Sequence, residues 1–256
     1  MNRIITVANQ KGGVGKTTTV INLATSLAYY GKSVLIVDID PQANATSGLG
    51  IRIDKVANKN IYHVIIGDED IRNIIIHTSV DWLDIAPSHI DLTGAEVELV
   101  SMLNREYRLN KALELIKSTY DYILIDCPPS LGLLTINALA SCESVLVPIQ
   151  CEYFALEGLA QLLKTINLVQ THLNKNLSIE GVILTMYDTR TSLSEEIAQN
   201  VKKYFQHKVY NTIIPRGIRA AEAPSYGKPL LYYDRYSKVT IAYLQLAQEI
   251  LKINKN

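Results

Sequence analysis

Short, β-branched apolar runs alternate with helical patterns along the 256-residue chain, and this alternation limits the possible folds more than any other feature. Five such runs predict strands: Arg3–Ala8, Ser33–Val37, Asp121–Asp126, Ser144–Pro148 and Ile179–Met186. Runs that are apolar at nearly every position are typical of strands buried on both faces. The alternation therefore predicts an α/β fold with a mostly parallel, twisted sheet and helices on both faces.

Two helical segments stand out between these strands. The first covers Thr17–Tyr30 and is expected to end at Gly31, because glycine adopts the left-handed conformation that terminates helices. The second carries apolar residues at helical spacing: Leu156, Leu159, Leu163, Ile166 and Leu173. No repeat, low-complexity run or Pro/Gly/Ser-rich linker interrupts the pattern, so we expect one domain over residues 1–256.

Composition excludes several classes of function. The 25 Lys and Arg residues equal the 25 Asp and Glu residues, so net charge alone cannot attract nucleic acid and any such site must be a local patch. The three cysteines form no C-x-x-C pair and are expected to be buried, reduced thiols: Cys127, Cys142 and Cys151. Without a signal peptide or an apolar run of ~20 residues, the protein is expected in the cytoplasm.

A glycine-rich loop joins the first strand to the first helix. Glycines let backbone N–H groups turn inward around phosphate oxygens, and the positive end of the following helix adds to the attraction. Lys16 can reach the β- and γ-phosphates, and the hydroxyl of Thr17 can bind Mg²⁺. The residues predicted to bind nucleotide here are Lys11, Gly12, Gly13, Val14, Gly15, Lys16, Thr17 and Thr18.

The loop departs from the common pattern G-x-x-x-x-G-K-[ST] at its start. Gln10 stands where the first glycine is expected, and a second lysine, Lys11, follows it. A glycine-rich turn that binds nothing is the alternative. The strand before the loop and the helix after it favour phosphate binding, because that context confirms the motif.

Aspartates stand at the ends of two other predicted strands, where ligands bind in parallel sheets. Asp126 ends an apolar strand and can hold Mg²⁺ through water, or it can cap the following helix. Asp38 and Asp40 lie beside Pro41, so they can also be simple turn formers.

The form K-G-G-x-G-K-T-T resembles the deviant Walker A loop of the ParA/MinD class of ATPases. Further motifs resemble the same class in order and spacing: Val37–Thr46, Tyr122–Pro129, Glu152–Gly158, Ile214–Arg216 and Glu222–Pro229. The similarity covers essentially the whole chain and is greatest to Soj-type chromosome-partition ATPases. It implies a P-loop NTPase of the deviant Walker A type, with ATP as substrate and Mg²⁺ as cofactor.

The resemblance also implies roles for the charged residues. Asp40 is expected to orient the attacking water, while Asp38 supports a magnesium site formed with Thr17 and Asp126. Lys11 is expected to cross the interface of an ATP-dependent, nucleotide-sandwich homodimer and to act catalytically with Lys16 and Asp40. A solvated surface lysine is the alternative for Lys11.

Adenine recognition is implied for a later segment. The resemblance points to Pro215 and Gly217 as contacts to the base. The family often carries asparagine at the second position, so a contact by Gly217 must use its backbone. The alternative for Pro215 is that it only ends a strand.

A modest basic excess lies between Met186 and Lys238, where nine basic and five acidic residues give a charge of +4. Scattered surface lysines would give the same excess. The resemblance assigns DNA contacts to Arg190 and Arg219. The chain begins almost directly on its first strand, so no N-terminal helix-turn-helix domain is expected, and binding to double-stranded DNA should be non-specific and through phosphates.

The implied function is ATP-driven partitioning of a chromosome or plasmid on the nucleoid. A ParB/Spo0J-like centromere-binding protein is the expected partner that stimulates hydrolysis, and no membrane partner is expected. The main alternative is a MinD-like membrane-associated ATPase, which needs a basic amphipathic C-terminal helix. The tail at 246–256 is short and has few bulky apolar residues, which disfavours that alternative.

Overall fold

A computed structural model describes residues 2–152 and 155–253, and within these residues eight strands form a single sheet. The strands are β1 Arg3–Val7, β2 Val34–Asp38, β3 Ile76–His77, β4 Leu83–Ala86, β5 Tyr122–Asp126, β6 Ser144–Gln150, β7 Ser178–Tyr187 and β8 Val209–Pro215. The α-helices are α1 Lys16–Tyr29, α2 Asn44–Gly48, α3 Ile53–Val56, α4 Ile61–Ile66, α5 Leu92–Glu98, α6 Arg108–Glu114, α7 Leu133–Ser141, α8 Ala155–His172, α9 Ser192–Phe205, α10 Ile218–Glu222, α11 Leu230–Tyr233 and α12 Lys238–Ile253. Short 3₁₀ turns cover Ile71–Asn73, Leu99–Ser101, Arg105–Tyr107, Gln206–Lys208 and Ala223–Tyr226.

The sheet has the order β3-β4-β2-β5-β1-β6-β7-β8, and every pairing except β3 with β4 is parallel. Apolar side chains of the strands pack into two buried clusters. One cluster includes α4 to α9, and the other includes α1, α2 and α12. The prediction of a mostly parallel sheet covered by helices on both faces is thus confirmed. No helix of the described residues is both long and apolar enough to cross a bilayer.

The five predicted strands are β1, β2, β5, β6 and β7, with bounds that move by one or two residues. The first predicted helix is also present, and Gly31 follows it with a φ of +76°. The spacing that begins at Leu156 matches α8, although the side chains of residues 155–158 lie outside the described residues. All three cysteines are buried and free.

The register of the parallel strands fixes where the site lies. Val7 of β1 and Asp38 of β2 both pair with Asp126 of β5, the central strand between them. The carboxyl ends of these strands therefore meet at one edge, and the loop after β1 leaves the sheet beside two aspartates. This is the position at which ligands bind in open α/β sheets.

The segment after β8 folds back over α1 and closes one side of this edge. The side-chain oxygen of Asn22 accepts a hydrogen bond from the backbone N–H of Leu230 at 2.8 Å. Gly227 lies against Gly50 so closely that an added Cβ would approach the Cα of Gly50 to 2.6 Å. Since Gly227 also has a φ of +61°, glycine is required there for both space and conformation.

The Gly227→Ala variant is expected to lower the free energy of unfolding by about 3 kcal/mol, because left-handed strain adds to a backbone clash. Gly31→Ala is the matched control, since Gly31 has a φ of +76° but nothing within 4 Å of its added Cβ. We expect the control to lower the free energy of unfolding by about 1 kcal/mol, from left-handed strain alone. Urea unfolding measures both, and equal losses would contradict the close packing of Gly227.

Candidate nucleotide-binding site

The loop after β1 has the conformation of a phosphate cradle. Gly13 and Gly15 have φ values of +75° and +89°, and Gly15 directly precedes the first residue of α1. The hydroxyl of Thr185 donates a hydrogen bond to the carbonyl of Val14 at 2.8 Å, which fixes the middle of the loop to β7. Backbone N–H groups of the loop and the positive end of a 14-residue helix therefore converge on one place.

Lys16 is buried at the first turn of α1. Its ammonium donates a hydrogen bond to the carbonyl of Lys11 at 3.3 Å. Burial lowers the pKa of Lys16, while the nearby carboxylates of Asp126 and Asp40 raise it. A buried cation that faces an open cleft is suited to bind an anionic ligand.

Asp126 is the most unusual group of the site. It is fully buried, and neither of its carboxylate oxygens has a hydrogen-bond partner among the described residues. Burial and the charge of Asp38 raise its pKa, whereas Thr17 and Lys16 lower it. The alternative that Asp126 caps a helix is wrong, because α7 begins only at Leu133. A buried carboxylate without donors is costly unless a cation compensates it.

Asp38, the neighbour of Asp126 in the sheet, has a different environment. One of its oxygens accepts hydrogen bonds from the backbone N–H and the hydroxyl of Thr46 at 2.9 and 2.7 Å, and the other accepts from the N–H of Asp40 at 3.1 Å. Burial raises the pKa of Asp38 to about 7, against the lowering effect of these bonds. The carboxylate of Asp38 therefore braces the loop that carries Asp40.

Asp40 is buried beside the cleft, and its own contacts hold it there. Its side chain accepts a hydrogen bond from the N–H of Gln42 at 3.0 Å, and its carbonyl accepts one from the hydroxyl of Ser88 at 2.7 Å. Ala43 has a φ of +51°, an uncommon conformation for a residue with a Cβ. The Asp40 loop is thus a fixed structure rather than an open turn.

Lys11 faces away from these groups. Its ammonium lies 3.6 Å from a carboxylate oxygen of Glu152, and both side chains are partly exposed. Within the described residues, Lys11 is not among those that line the cleft, although its backbone N–H is fixed by Asn9 at 3.0 Å. The two lysines of the loop therefore have different environments, one buried and one at the surface.

Two cavities lie on either side of the loop. The lining of a cleft of about 420 Å³ includes residues of the loop and Asp40 from the turn after β2. The loop residues are Gly12, Gly13, Gly15, Lys16, Thr17 and Thr18. A second cavity of about 910 Å³ shares Gly15 and Thr18 with the first and reaches Pro215 and Gly217. The fold therefore brings the predicted base contacts to the same loop as the predicted phosphate contacts.

Pro215 is the last residue of β8, so it ends a strand and also lines the second cavity. Gly217 follows at the start of α10, where an added Cβ would lie 2.5 Å from a methyl carbon of Val239. The packing of α12 thus requires glycine at this position. A contact from Gly217 to a base can use only its backbone.

Both arginines predicted to contact DNA are exposed and paired with acidic groups. Asp188 accepts two hydrogen bonds from Arg190, at 2.9 Å from Nε and 2.7 Å from a terminal nitrogen. Arg219 lies 3.0 Å from Glu222 and 3.5 Å from Asp234. Exposed ion pairs contribute little net stability, so a phosphate can replace these carboxylates at small cost.

Sequence reasoning missed the residues that hold the site together. Thr46 and Ser88 fix the loop after β2, and Thr185 and Met186 pack against the phosphate loop from β7. Met186 lines both cavities and has a φ of +49°. Thr46 lies in a motif singled out from sequence, and Thr185 and Met186 lie in a predicted strand, but nothing in the pattern shows the contacts that these side chains make.

Two segments that carried sequence-based interpretations fall partly outside the described residues. In Glu152–Gly158, residues 153 and 154 and the side chains of 155–158 lie outside the described residues. In the tail at 246–256, whose composition disfavours membrane targeting, residues 254–256 lie outside them.

The Asp126→Asn variant is expected to unfold at a higher temperature than wild type at pH 8 without nucleotide or Mg²⁺, because it removes an uncompensated buried charge. Folding raises the pKa of Asp126, so the ionised carboxylate destabilises the folded state at high pH. This destabilisation is relieved on acidification, when the carboxylate becomes protonated. The stabilisation should therefore shrink as the pH is lowered from 8. Differential scanning calorimetry measures it, with the exposed Asp81→Asn as control. A destabilised Asp126→Asn at pH 8 would contradict this account.

Comparisons with known proteins agree with this geometry. A family described as an AAA domain matches residues 2–179. The sporulation initiation inhibitor protein Soj of Bacillus subtilis is 58% identical over 250 residues, 98% of each chain. The chromosome partitioning protein ParA of Myxococcus xanthus is 52% identical over 252 residues, 98% of this chain and 89% of the relative.

The structural comparison extends over the whole chain. Cobyrinic acid a,c-diamide synthase from Mycobacterium smegmatis, solved with bound ADP and magnesium, superposes with a TM-score of 0.88 at 38% identity and covers 100% of this chain and 96% of its own. The family match over most of the chain, together with these identities, shows that the chain belongs to the ParA/Soj family of chromosome-partitioning ATPases.

Proposed function

We propose that this partitioning ATPase binds ATP with Mg²⁺ and forms an ATP-dependent dimer that holds DNA non-specifically until hydrolysis releases it. The observation that carries the proposal is the buried carboxylate of Asp126, whose oxygens accept no hydrogen bond among the described residues, beside buried Lys16 at the end of a phosphate cradle. A metal–phosphate ligand matches this pair, because its metal ion compensates the carboxylate and its phosphate compensates the ammonium. Bound nucleotide and magnesium in the Mycobacterium smegmatis relative support the same reading.

The two cavities suggest how the nucleotide lies. The phosphates would occupy the cleft of about 420 Å³ against Lys16, and the base would occupy the cavity of about 910 Å³ near Pro215 and Gly217. Thr17, Asp38 and Asp126 are the groups proposed to hold Mg²⁺, which when bound neutralises charge on the phosphate oxygens. Asp126 fits this task best, because within the described residues neither of its oxygens accepts a hydrogen bond.

Hydrolysis requires a positioned water and compensation for charge on the phosphoryl group. Asp40 lies at the cleft on a braced loop and is proposed to orient the water. Lys16 contributes positive charge from the chain's own loop. Lys11 is proposed to act on the nucleotide of a second subunit, a role supported by its surface position outside its own cleft.

Dimerisation would then control DNA binding. One subunit carries only a modest basic excess, and a few phosphate contacts give weak affinity at physiological salt. Two subunits double the copies of Arg190 and Arg219 on one assembly, so affinity rises through effective concentration. We propose that a ParB/Spo0J-like protein stimulates hydrolysis and thereby releases the ATPase from nucleoid DNA.

We further propose that residues 1–256 act as one domain without a helix-turn-helix unit. One sheet and two apolar clusters extend through the described residues, which supports a single unit. Sequence-specific binding is therefore not part of the proposal.

Asp40→Ala is expected to remain a dimer in saturating Mg-ATP, because nucleotide binds but water attack is blocked. Lys16→Ala should stay monomeric, since it loses the buried cation that holds the phosphates. Lys11→Ala should bind ATP without hydrolysing it. Light scattering and phosphate release measure these states, and a monomeric Asp40→Ala in saturating ATP would refute the mechanism.

A mixture of Lys11→Ala and Asp40→Ala subunits tests whether Lys11 acts across the interface. In a mixed dimer, the Lys11 of the Asp40→Ala subunit can serve the intact Asp40 site of the other. Partial recovery of hydrolysis is expected on mixing. Absence of recovery, with mixed dimers present by mass, would place Lys11 in its own site.

Arg190→Ala and Arg219→Ala are each expected to weaken DNA binding while ATP-dependent dimerisation persists, because neither arginine lines the phosphate cleft in the described residues. Fluorescence anisotropy with random-sequence duplexes measures the affinity, which should fall as salt rises. Unchanged binding by both variants would exclude this surface.

A further inference from the structure

Three exposed cations line the cavity of about 910 Å³ from three different elements. Arg190 lies in the loop after β7, Arg216 in the turn after β8, and Lys238 at the first residue of α12. We call these residues the basic rim. Of these three, only Arg190 is predicted from the sequence to contact DNA.

The members of the basic rim differ in their partners. Arg190 is held by two hydrogen bonds to Asp188. Arg216 and Lys238 form no ion pair and donate no side-chain hydrogen bond within residues 2–152 and 155–253. The charge of Arg216 nevertheless helps to lower the pKa of Asp188, which places its guanidinium near the Asp188–Arg190 pair.

Both unpaired cations are attached to well-fixed backbone. The N–H of Arg216 donates to the carbonyl of Tyr187 at 3.0 Å, which ties the turn to the end of β7. Lys238 begins a 16-residue helix whose first turn is fixed by the hydroxyl of Ser237, which accepts from the N–H of Thr240 at 3.1 Å. Charges on such positions lose little backbone freedom when an anion binds.

The bound nucleotide does not supply that anion. In the proposed function its phosphates occupy the cleft lined by Lys16 and the glycines of the loop, and the base and ribose assigned to the larger cavity are neutral. The cations of the basic rim line this cavity and are exposed to solvent. Their charge is therefore available to an anion that approaches from solvent.

We propose that Arg216 and Lys238 bind phosphates of duplex DNA and extend the surface that begins at Arg190. The inference rests on the proposed function, in which the ATP-bound dimer holds DNA. An unpaired cation contributes more readily than a paired one, because no carboxylate must be displaced before it meets a phosphate. Each such contact releases counterions and adds to the salt dependence of binding.

The test compares Arg216→Ala and Lys238→Ala with wild type in Mg-ATP, using a random-sequence duplex and fluorescence anisotropy at several salt concentrations. Each variant is expected to reduce the magnitude of the negative slope of log K against log salt by about 1.8 per dimer. Each of the two lost phosphate contacts contributes about 0.9 to that magnitude. Lys111→Ala is the matched control. It removes an exposed, unpaired lysine from α6, on the opposite face of the sheet from α12.

The outcomes separate this inference from the proposed function. Wild type that fails to bind DNA with ATP would refute the proposed function itself. If wild type binds DNA and both variants keep the wild-type slope, the inference that the basic rim binds DNA is overturned. A slope change equal to that of Lys111→Ala would overturn it as well. Loss of ATP affinity in parallel with DNA affinity, measured by fluorescent-nucleotide titration, would assign the residues to the nucleotide and likewise overturn the inference. Loss of ATP-dependent dimerisation would assign them to the subunit interface and overturn it as well.

Discussion

Two aspartates lie side by side at the carboxyl ends of neighbouring parallel strands, and the rest of the site depends on how their buried carboxylates are compensated. Asp38 and Asp126 are both fully buried and pair in register. Burial raises the pKa of both carboxyl groups, and the charge of Asp38 raises the pKa of Asp126 further. Among residues 2–152 and 155–253, donors satisfy Asp38 and none hydrogen-bonds to Asp126.

This asymmetry gives the two aspartates different tasks. The bonds from Thr46 and Asp40 make Asp38 the brace of a loop that brings Asp40 to the cleft. Asp126 has Lys16 nearby but no hydrogen bond, so the free energy of the nucleotide-free protein includes its desolvation cost. A cation–phosphate ligand would remove that cost, so folding energy and ligand affinity are linked at this residue. Buried, perturbed carboxylates in a cleft are typical of functional sites for this reason.

The sequence predicted the centre of the fold better than its periphery. Strands such as β2 and β5 are apolar at nearly every position, and Gly15 and Gly31 mark the two ends of α1 through positive φ angles. The region between β2 and β5 was not predicted in detail, because its helices have four to seven residues and β3 has two, too few to show a period. β8 escaped prediction because its burial is partial and irregular at the sheet edge.

The candidate site was predictable as a set of residues but not as an arrangement. The loop motif and the strand-end aspartates could be identified because parallel strands end at one edge. The absence of partners around Asp126, the brace from Thr46 and the packing of Gly217 against Val239 depend on contacts between distant segments. Glu222 follows Arg219 at the i,i+3 spacing of helical ion pairs, but only the structure shows that Asp188 pairs with Arg190 and Asp234 with Arg219.

The central claim is that the γ-phosphate of ATP assembles a dimer that binds DNA. It is tested most directly by measuring mass and DNA affinity together, for the unmodified protein with Mg-ATP, with Mg-ADP and without nucleotide. The account predicts a dimer with salt-sensitive, sequence-independent DNA binding in Mg-ATP alone, and a weakly binding monomer in the other two states. Equal DNA binding in Mg-ADP, or tight binding by a monomer, would contradict it.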